Sequence, residues 1–364
     1  MSLPGSKLTI EIPRCPLRVR ICVLRYIGSK LNLLPQLDAA VSERQISGGA
    51  FCDLFSGTGV VGRYFKNRFP VQSNDLLYFS HVIQYAGIQL NSLPNFDDIE
   101  KEIGDPFYFL NNINGEKFNF NSDPFTAINY SSYGKEKRMY LTEINALHID
   151  AIRQSIQEWL DKRLITIDGF MFLLASLLEC VPSVSNIAGT YGAYLKHWDS
   201  RTSKPVFLQP ITVIDNGQKN ISYNENANEL IKRISGEVLY VDPPYNGRQY
   251  LGNYHVLESI AKYDYPVLEG KTGMRKDMDK ISDYCKKGKV AKSFDDLLAN
   301  ADFDYIFISY STEGLLSEDE LIAIAEKYSD PKKLKVYKFP YRRYSRIKDD
   351  DKPTVHEIVV SAAK

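Results

Sequence analysis

Asp242, Pro243, Pro244 and Tyr245 follow directly on the apolar run Val238–Val241. A proline donates nothing to a β-ladder, so a strand over "EVLYV" has to stop there. Its open end then carries a carboxylate, a rigid turn and an aromatic ring. An exocyclic amine on an aromatic base is a poor nucleophile, because its lone pair is delocalised into the ring. Hydrogen bonds from such an amine to the Asp242 carboxylate and the Pro243 carbonyl would draw the nitrogen toward tetrahedral geometry. The same acceptors stabilise positive charge that builds up when the nitrogen is alkylated. Tyr245 offers a face on which the base can stack. Pro243 and Pro244 leave the loop little freedom to lose at the moment of reaction.

A second group lies upstream. Gly57, Gly59 and Gly62 form GxGxxG, with an apolar stretch before them and a helical pattern after. Glycines there allow a tight turn and close approach of a ligand to the backbone. Asp75 ends the next strand-like stretch, where a carboxylate can accept from ribose hydroxyls. A nicotinamide dinucleotide and S-adenosyl-L-methionine both fit these residues. The Asp-Pro-Pro-Tyr loop separates them: hydride transfer has no use for it, whereas methylation of an amine does.

These residues need an α/β scaffold. "GAFCDLFSGTGVVGRYFKNR" reads as strand, glycine turn and helix. "PVQSND" reads as a strand and "LLYFSHVIQYAGIQLN" as a helix, which begins a parallel sheet. The pattern changes after Asn91. Residues 92–135 show no sheet unit. "TEINALHIDAIRQSIQEWLDKRL" has helical periodicity with Thr142 as its cap, and the apolar "TIDGFMFLLASLLECVPSVSN" is a second helix ended by Pro182. The sheet resumes with a helix at "ANELIKRI", strands at "EVLYV" and "FDYIFISYS", and a helix at "SEDELIAIAEKY". "KLKVYKFPY" and "TVHEIVVSAA" form a closing pair. We therefore expect a catalytic domain from residues 16–91 and 216–364, and a largely helical target-recognition insertion over 92–215.

Bulk composition narrows the function. The chain has 364 residues, with 45 Lys and Arg against 45 Asp and Glu. A nucleic-acid partner then requires basic groups gathered on one face. Residues 271–293 hold eight Lys or Arg against three Asp. Residues 331–348 hold eight and no acid, with Tyr337, Phe339, Tyr341 and Tyr344 interleaved. Lys196, Arg275, Lys286, Lys287, Arg342 and Arg343 are the residues expected to meet phosphates. The five cysteines are scattered, without CxxC, which points to reduced thiols and a cytoplasmic protein. No apolar run looks long enough to span a bilayer, and no metal-ligand pattern includes His255 and Glu258, which would support the loop from one helical turn.

Together these motifs resemble the D12-class adenine-N6 DNA methyltransferases, and the resemblance covers nearly the whole chain. "LRYIGSKLNLLPQL" is similar to the family's N-terminal cofactor motif, "DLFSGTG" to its glycine motif and "DPPY" to its catalytic motif. "RMYLTEINALHIDAIR", "SNIAGTYGAYLK" and "ISYSTEGL" resemble stretches of restriction-modification members. The resemblance implies a Rossmann-like, S-adenosylmethionine-dependent core, and duplex DNA as partner with the target adenine flipped out. It leaves room for a cognate restriction endonuclease acting separately. It also implies that Tyr26, Gly28 and Lys30 sit beside the methionine part of the cofactor, with Lys30 near its carboxylate or the catalytic loop. Asp53, Phe55, Gly57 and Gly59 would line the methionine side and Asp75 the ribose. Asn226 would meet the adenine amine where relatives often carry Asp. An RNA or cytosine-N4 methyltransferase would keep the same site, and a DNA-binding protein with an inactive site would keep the same surface.

Overall fold

The computed structural model describes residues 26–46, 48–276, 281–340 and 356–364. Its centre is a seven-stranded sheet in the order β3-β2-β1-β4-β7-β9-β8. The strands are β1 (Phe51–Asp53), β2 (Val71–Asn74), β3 (Ile221–Tyr223), β4 (Ser235–Val241), β7 (Asp302–Ser311), β8 (Lys335–Pro340) and β9 (His356–Ala363). Strands β5 (Leu268–Glu269) and β6 (Met274–Arg275) make a separate small hairpin. β3, β2, β1, β4 and β7 run parallel, whereas β9 pairs antiparallel with β7 and β8 antiparallel with β9. The closing pair is thus the one read from the sequence. β3 was not: three residues, flanked by Asn220 and Asn224, are too few to show periodicity.

Successive side chains leave a strand on opposite faces. Phe51, Val238, Tyr240 and Phe307 accordingly pack on α1 (Leu34–Glu43) and α2 (Val60–Phe65). Cys52, Leu239, Val241, Ile306 and Ile308 face the other layer, built from α9 (Ala227–Leu230), α11 (Val290–Asn300) and α12 (Glu318–Glu326). Being covered on both sides explains why these strands read as continuous apolar runs. Sequential order reverses between β1 and β4. In an open α/β sheet that is where a crevice opens at the carboxyl ends of the strands.

Residues 92–215 contribute α4 (Asp97–Ile103), α5 (Pro106–Asn112), α6 (Phe125–Tyr130), α7 (Glu143–Asp161) and α8 (Ile167–Val184). They share one hydrophobic core with α3 (Tyr78–Gln84) and α10 (Tyr250–Lys262) of the sheet domain. Thr142 caps α7 as expected, its hydroxyl oxygen accepting from the Asn145 amide at 3.3 Å. Three expectations need correction. Pro182 does not end α8, which continues to Val184. Near the helix end the side chains of Ser183 and Ser185 donate to the carbonyls of Cys180 and Val181, at 2.6 and 2.8 Å, which satisfies carbonyls of the last turn. α8 is also long and apolar enough, by length and composition, to cross a membrane, with a mean hydropathy of 1.6. It serves instead as a core helix, 67% buried inside the protein. The helix expected over "ANELIKRI" is only the single turn α9, while α11, which lies inside a basic stretch, was not read at all.

Candidate active site

β1 delivers Asp53 and β4 delivers Asp242 to adjacent points at the crevice. Asp53 is buried. Its Oδ2 accepts from the Ser56 hydroxyl at 2.7 Å and the Gly62 amide at 2.9 Å, which folds the glycine turn back onto the strand. Its Oδ1 is buried without a hydrogen-bond partner among the described residues. Burial pushes the Asp53 carboxyl up to about 7, against the pull of the Ser56 and Gly62 bonds. Gly57 is gripped from three sides: its amide donates to Asp75 Oδ2 at 3.0 Å, its carbonyl accepts from Gln84 Nε2 at 2.8 Å, and the Tyr26 ring lies on its Cα. Asp75 Oδ1 also accepts from the Leu77 amide at 2.9 Å.

The segment from Tyr26 to Lys30 is held by aromatic rings. Tyr26 stacks on Tyr254 with centroids 4.7 Å apart, and Tyr250 lies 5.4 Å away. Both backbone groups of Ile27 are taken by these tyrosines. Its amide donates to Tyr254 Oη at 2.7 Å and its carbonyl accepts from Tyr250 Oη at 3.2 Å. Gly28, at φ +76°, packs against the same Tyr250 hydroxyl. α10 begins five residues after Tyr245, so the segment bearing Lys30 is anchored to the helix that follows the Asp-Pro-Pro-Tyr loop. Glu258 fixes the far side by accepting from the amides of Tyr78 and Phe79 at the start of α3, at 3.1 and 2.9 Å. His255 is buried, with its ring nitrogens 3.2 Å from the Gly252 carbonyl and 3.0 Å from that of Thr272. Both residues support the site without entering it.

Lys30 closes the centre. Its Nζ lies 2.8 Å from Asp242 Oδ2, 3.2 Å from Glu357 Oε1 and 3.1 Å from the Gly28 carbonyl. Burial opposes the charge on Lys30, but Asp242 and Glu357 outweigh it and hold the ammonium well above its ordinary value. Burial raises the Asp242 carboxyl, Lys30 pulls it down, and Glu357 pushes it up again, leaving it above the usual range. Tyr245 stands edge-on to Tyr310, with centroids 6.5 Å apart, and its carbonyl accepts from the Leu315 amide at 2.9 Å.

One cavity of about 540 Å³ joins these groups, lined by Tyr26, Lys30, Asp53, Gly57, Asp75, Asn226, Asp242 and Tyr245 among others. That is the size of a small-molecule cofactor site. Its acceptor-rich lining, with the unpartnered oxygen of Asp53, suits a cationic ligand bearing amine and hydroxyl donors, and S-adenosylmethionine is one. Phe55 reaches the cavity edge-on to Tyr284, at 5.0 Å. Asn226 lines it too, although its Oδ1 already caps α9 by accepting from the Asn228 amide at 2.9 Å. Gly59 does not line it. At φ +77° it caps α2 and turns its Cα toward Ile88 and Gln84, so its part is to shape the turn.

The family model for the D12 class N6 adenine-specific DNA methyltransferases matches residues 26–324. The chain belongs to this family. Among curated relatives it is 45% identical to the Type II methyltransferase M.FokI of Planomicrobium okeanokoites, over 92% of this chain and 52% of the relative. It is 39% identical to the modification methylase StsI of Streptococcus sanguinis, over 92% and 51%. It is 39% identical to the Type II methyltransferase M.NlaIII of Neisseria lactamica, over 90% and 95%. The chain thus spans about half the length of the first two and nearly all of the third. The family match takes in Tyr26, the glycine turn and the Asp-Pro-Pro-Tyr loop, and stops short of β8 and β9.

The basic residues divide. Arg275 is not available to phosphate: its side chain is 1% exposed and its two terminal nitrogens each lie 2.8 Å from an Asp264 oxygen. Lys286 is exposed but paired with Asp283 at 2.8 Å. Lys196 and Lys287 are exposed. Arg342 and Arg343 lie outside the described residues. The acid-free stretch before them is not acid-free in space, since Lys335 pairs with Glu43 at 2.7 Å and Lys338 with Glu318 at 2.8 Å. Sequence reasoning missed Glu357, Asn74 and Tyr284. Asn74 ties the strand ends together, donating to the carbonyls of Leu54 and Glu225 at 3.1 and 3.2 Å. Its place one residue before Asp75 was the available signal. Glu357 had none, being a single acid in an apolar strand.

Proposed function

We propose that this chain transfers a methyl group from S-adenosylmethionine to N6 of an adenine at a specific site in duplex DNA. The observation that carries this is the sharing of one cavity by the glycine turn, Asp75 and the Lys30-held Asp242. S-adenosylmethionine, when bound, supplies an electrophilic methyl group on a cationic sulfur. Asp75, at the cavity wall beside Gly57 and Leu77, accepts from ribose hydroxyls, and Tyr26 walls the methionine end. Asn226 accepts from the adenine amine of the cofactor. An adenine in a duplex is stacked, so it has to leave the helix to reach Asp242. The Asp242 carboxylate and the Pro243 carbonyl then accept from its amine, localising the lone pair, and Tyr245 stacks on the base. The carboxylates around the cavity favour the positive charge as it moves from sulfur to nitrogen.

Residues 92–215 recognise the target, with Lys196, Lys286, Lys287, Arg342 and Arg343 meeting phosphates. The names of the relatives, Type II methyltransferases and modification methylases, support a modification role in a restriction-modification system. The endonuclease is then a separate activity, and the enzyme works where the DNA is, in the cytoplasm. The test is incubation with labelled S-adenosylmethionine and genomic DNA lacking N6-methyladenine, beside matched RNA, followed by mapping of the methylated positions. Label at N6 of adenine within one short DNA sequence is the expected result. Label in RNA or at cytosine N4, or none at all, overturns the proposal.

A further inference from the structure

We propose that Glu357 is a positioning residue for methyl transfer: from β9 it draws the Lys30 ammonium off Asp242, so that the catalytic carboxylate keeps free acceptor capacity. This rests on the function proposed above. A lysine ammonium has three N–H donors. Here Asp242, Glu357 and the Gly28 carbonyl surround it at 2.8, 3.2 and 3.1 Å. Lys30 and Glu357 are both buried, at 7% and 6% exposure. Among the described residues Glu357 Oε1 accepts no hydrogen bond, so its contact with Lys30 is an ion pair.

Charge explains why a second carboxylate is useful. With Lys30 and Asp242 alone, the pair is neutral and the ammonium competes with the target amine for the same oxygens. With Glu357 ionised as well, two carboxylates face one ammonium and the cluster is net negative. A net negative cluster suits a reaction that brings positive charge to the nitrogen beside Asp242. The other groups facing Asp242 do not supply this. Asp53 on β1 has its Oδ2 engaged by Ser56 and Gly62 and its carboxyl pushed up to about 7 by burial, while the phenols of Tyr240 on β4 and Tyr250 on α10 donate to Ser309 and to the Ile27 carbonyl. Glu357 sits opposite Ser311 in the pairing of β9 with β7, and β7 in turn pairs with β4. It therefore reaches the site through the sheet, beyond the stretch matched by the family model.

The test is a carbon-13 NMR titration of the Asp242 carboxyl in the full chain without DNA, for the parent and Glu357→Gln, with the pH dependence of kcat/KM beside it. Removing the Glu357 charge leaves Lys30 to Asp242 alone, so Asp242 should lose its proton at a pH lower by about half a unit or more. The acid limb of kcat/KM should move down with it, and the plateau rate should fall several-fold. Glu357→Asp, which keeps the charge, should hold the limb nearer the parent's. A purely structural role predicts an unmoved titration in Glu357→Gln, and that result overturns the proposal. If Glu357→Gln does not fold, the parent decides. A two-step Asp242 titration supports the proposal and a single step overturns it. The titration needs no turnover. Failure of the proposed function would therefore appear as absent methyl transfer with the shift intact.

Discussion

The ring of Tyr26 lies on the backbone of Gly57. A Cβ at position 57 would come within 2.6 Å of Tyr26 Cε1, and Gly57 already has a φ of +54°. The N-terminal segment and the glycine turn thus form one wall of the cavity. Gly57→Ala places a side chain in a left-handed conformation, at roughly 1–2 kcal/mol, and displaces the ring. The variant should melt earlier and bind S-adenosylmethionine about tenfold more weakly or worse, which corresponds to about 1.4 kcal/mol. Gly59→Ala, strained away from the cavity, should melt earlier with a smaller loss of affinity. Calorimetric titration of both decides, and undiminished affinity in Gly57→Ala would detach Tyr26 from the site.

Asp75 accepts two backbone amides and still faces the cavity. Asp75→Ala should weaken S-adenosylmethionine binding by roughly 1.5–3 kcal/mol, the worth of charge-assisted hydrogen bonds. Asp75→Asn, which keeps one acceptor, should lose less. Equal affinities in parent and both variants would remove the ribose contact.

Asp242→Ala should leave cofactor binding largely intact and lower single-turnover methylation about 100-fold or more, by analogy with loss of one preorganised group in an oxyanion hole. The carboxylate has to be ionised to accept from the amine. Its pKa is raised, so kcat/KM should be full above the raised value and fall as pH drops through it. That limb should lie near about 6, where an ordinary aspartate would hold out to roughly 3.9. Lys30 pulls the Asp242 pKa down, so Lys30→Gln should move the limb to higher pH. A limb unmoved in Lys30→Gln would contradict the 2.8 Å pair.

Lys287 is exposed and Arg275 buried against Asp264. Lys287→Ala should lower the slope of log K for DNA against log salt by roughly 0.9, one phosphate contact. Arg275→Ala should leave that slope alone and cost roughly 1–3 kcal/mol of stability through its lost hydrogen bonds. A salt slope that responds to Arg275→Ala rather than Lys287→Ala would reverse the assignment.

Tyr245 reaches the cavity across the rigid Pro243–Pro244 turn from Asp242. Stacking a flipped base on its ring is worth roughly 1–3 kcal/mol. Tyr245→Phe should therefore keep most activity and Tyr245→Ala lose much of it. A fluorescent purine at the target position would show the same contrast in quenching. Equal activity in the two variants would mean that the ring does not hold the base.

Much of the site is legible in one dimension because its constraints are local. A glycine at positive φ, prolines that stop a strand and an acid at a strand end are steric and hydrogen-bonding demands satisfied within a few residues. The turn at Gly57 to Gly62, the Asp-Pro-Pro-Tyr loop, Thr142 as a cap and the apolar run Val238 to Val241 could be read for that reason. Only the tertiary structure decided which charges meet. Glu357 reaches Lys30 across the sheet, Asp264 takes Arg275 out of solvent, and Glu43 and Glu318 pair with lysines of a stretch that has no acid of its own. Coulomb partners act through space, and strand pairing joins residues far apart in the chain. A run of sequence therefore displays its own charges and conceals the ones that the fold sets against them.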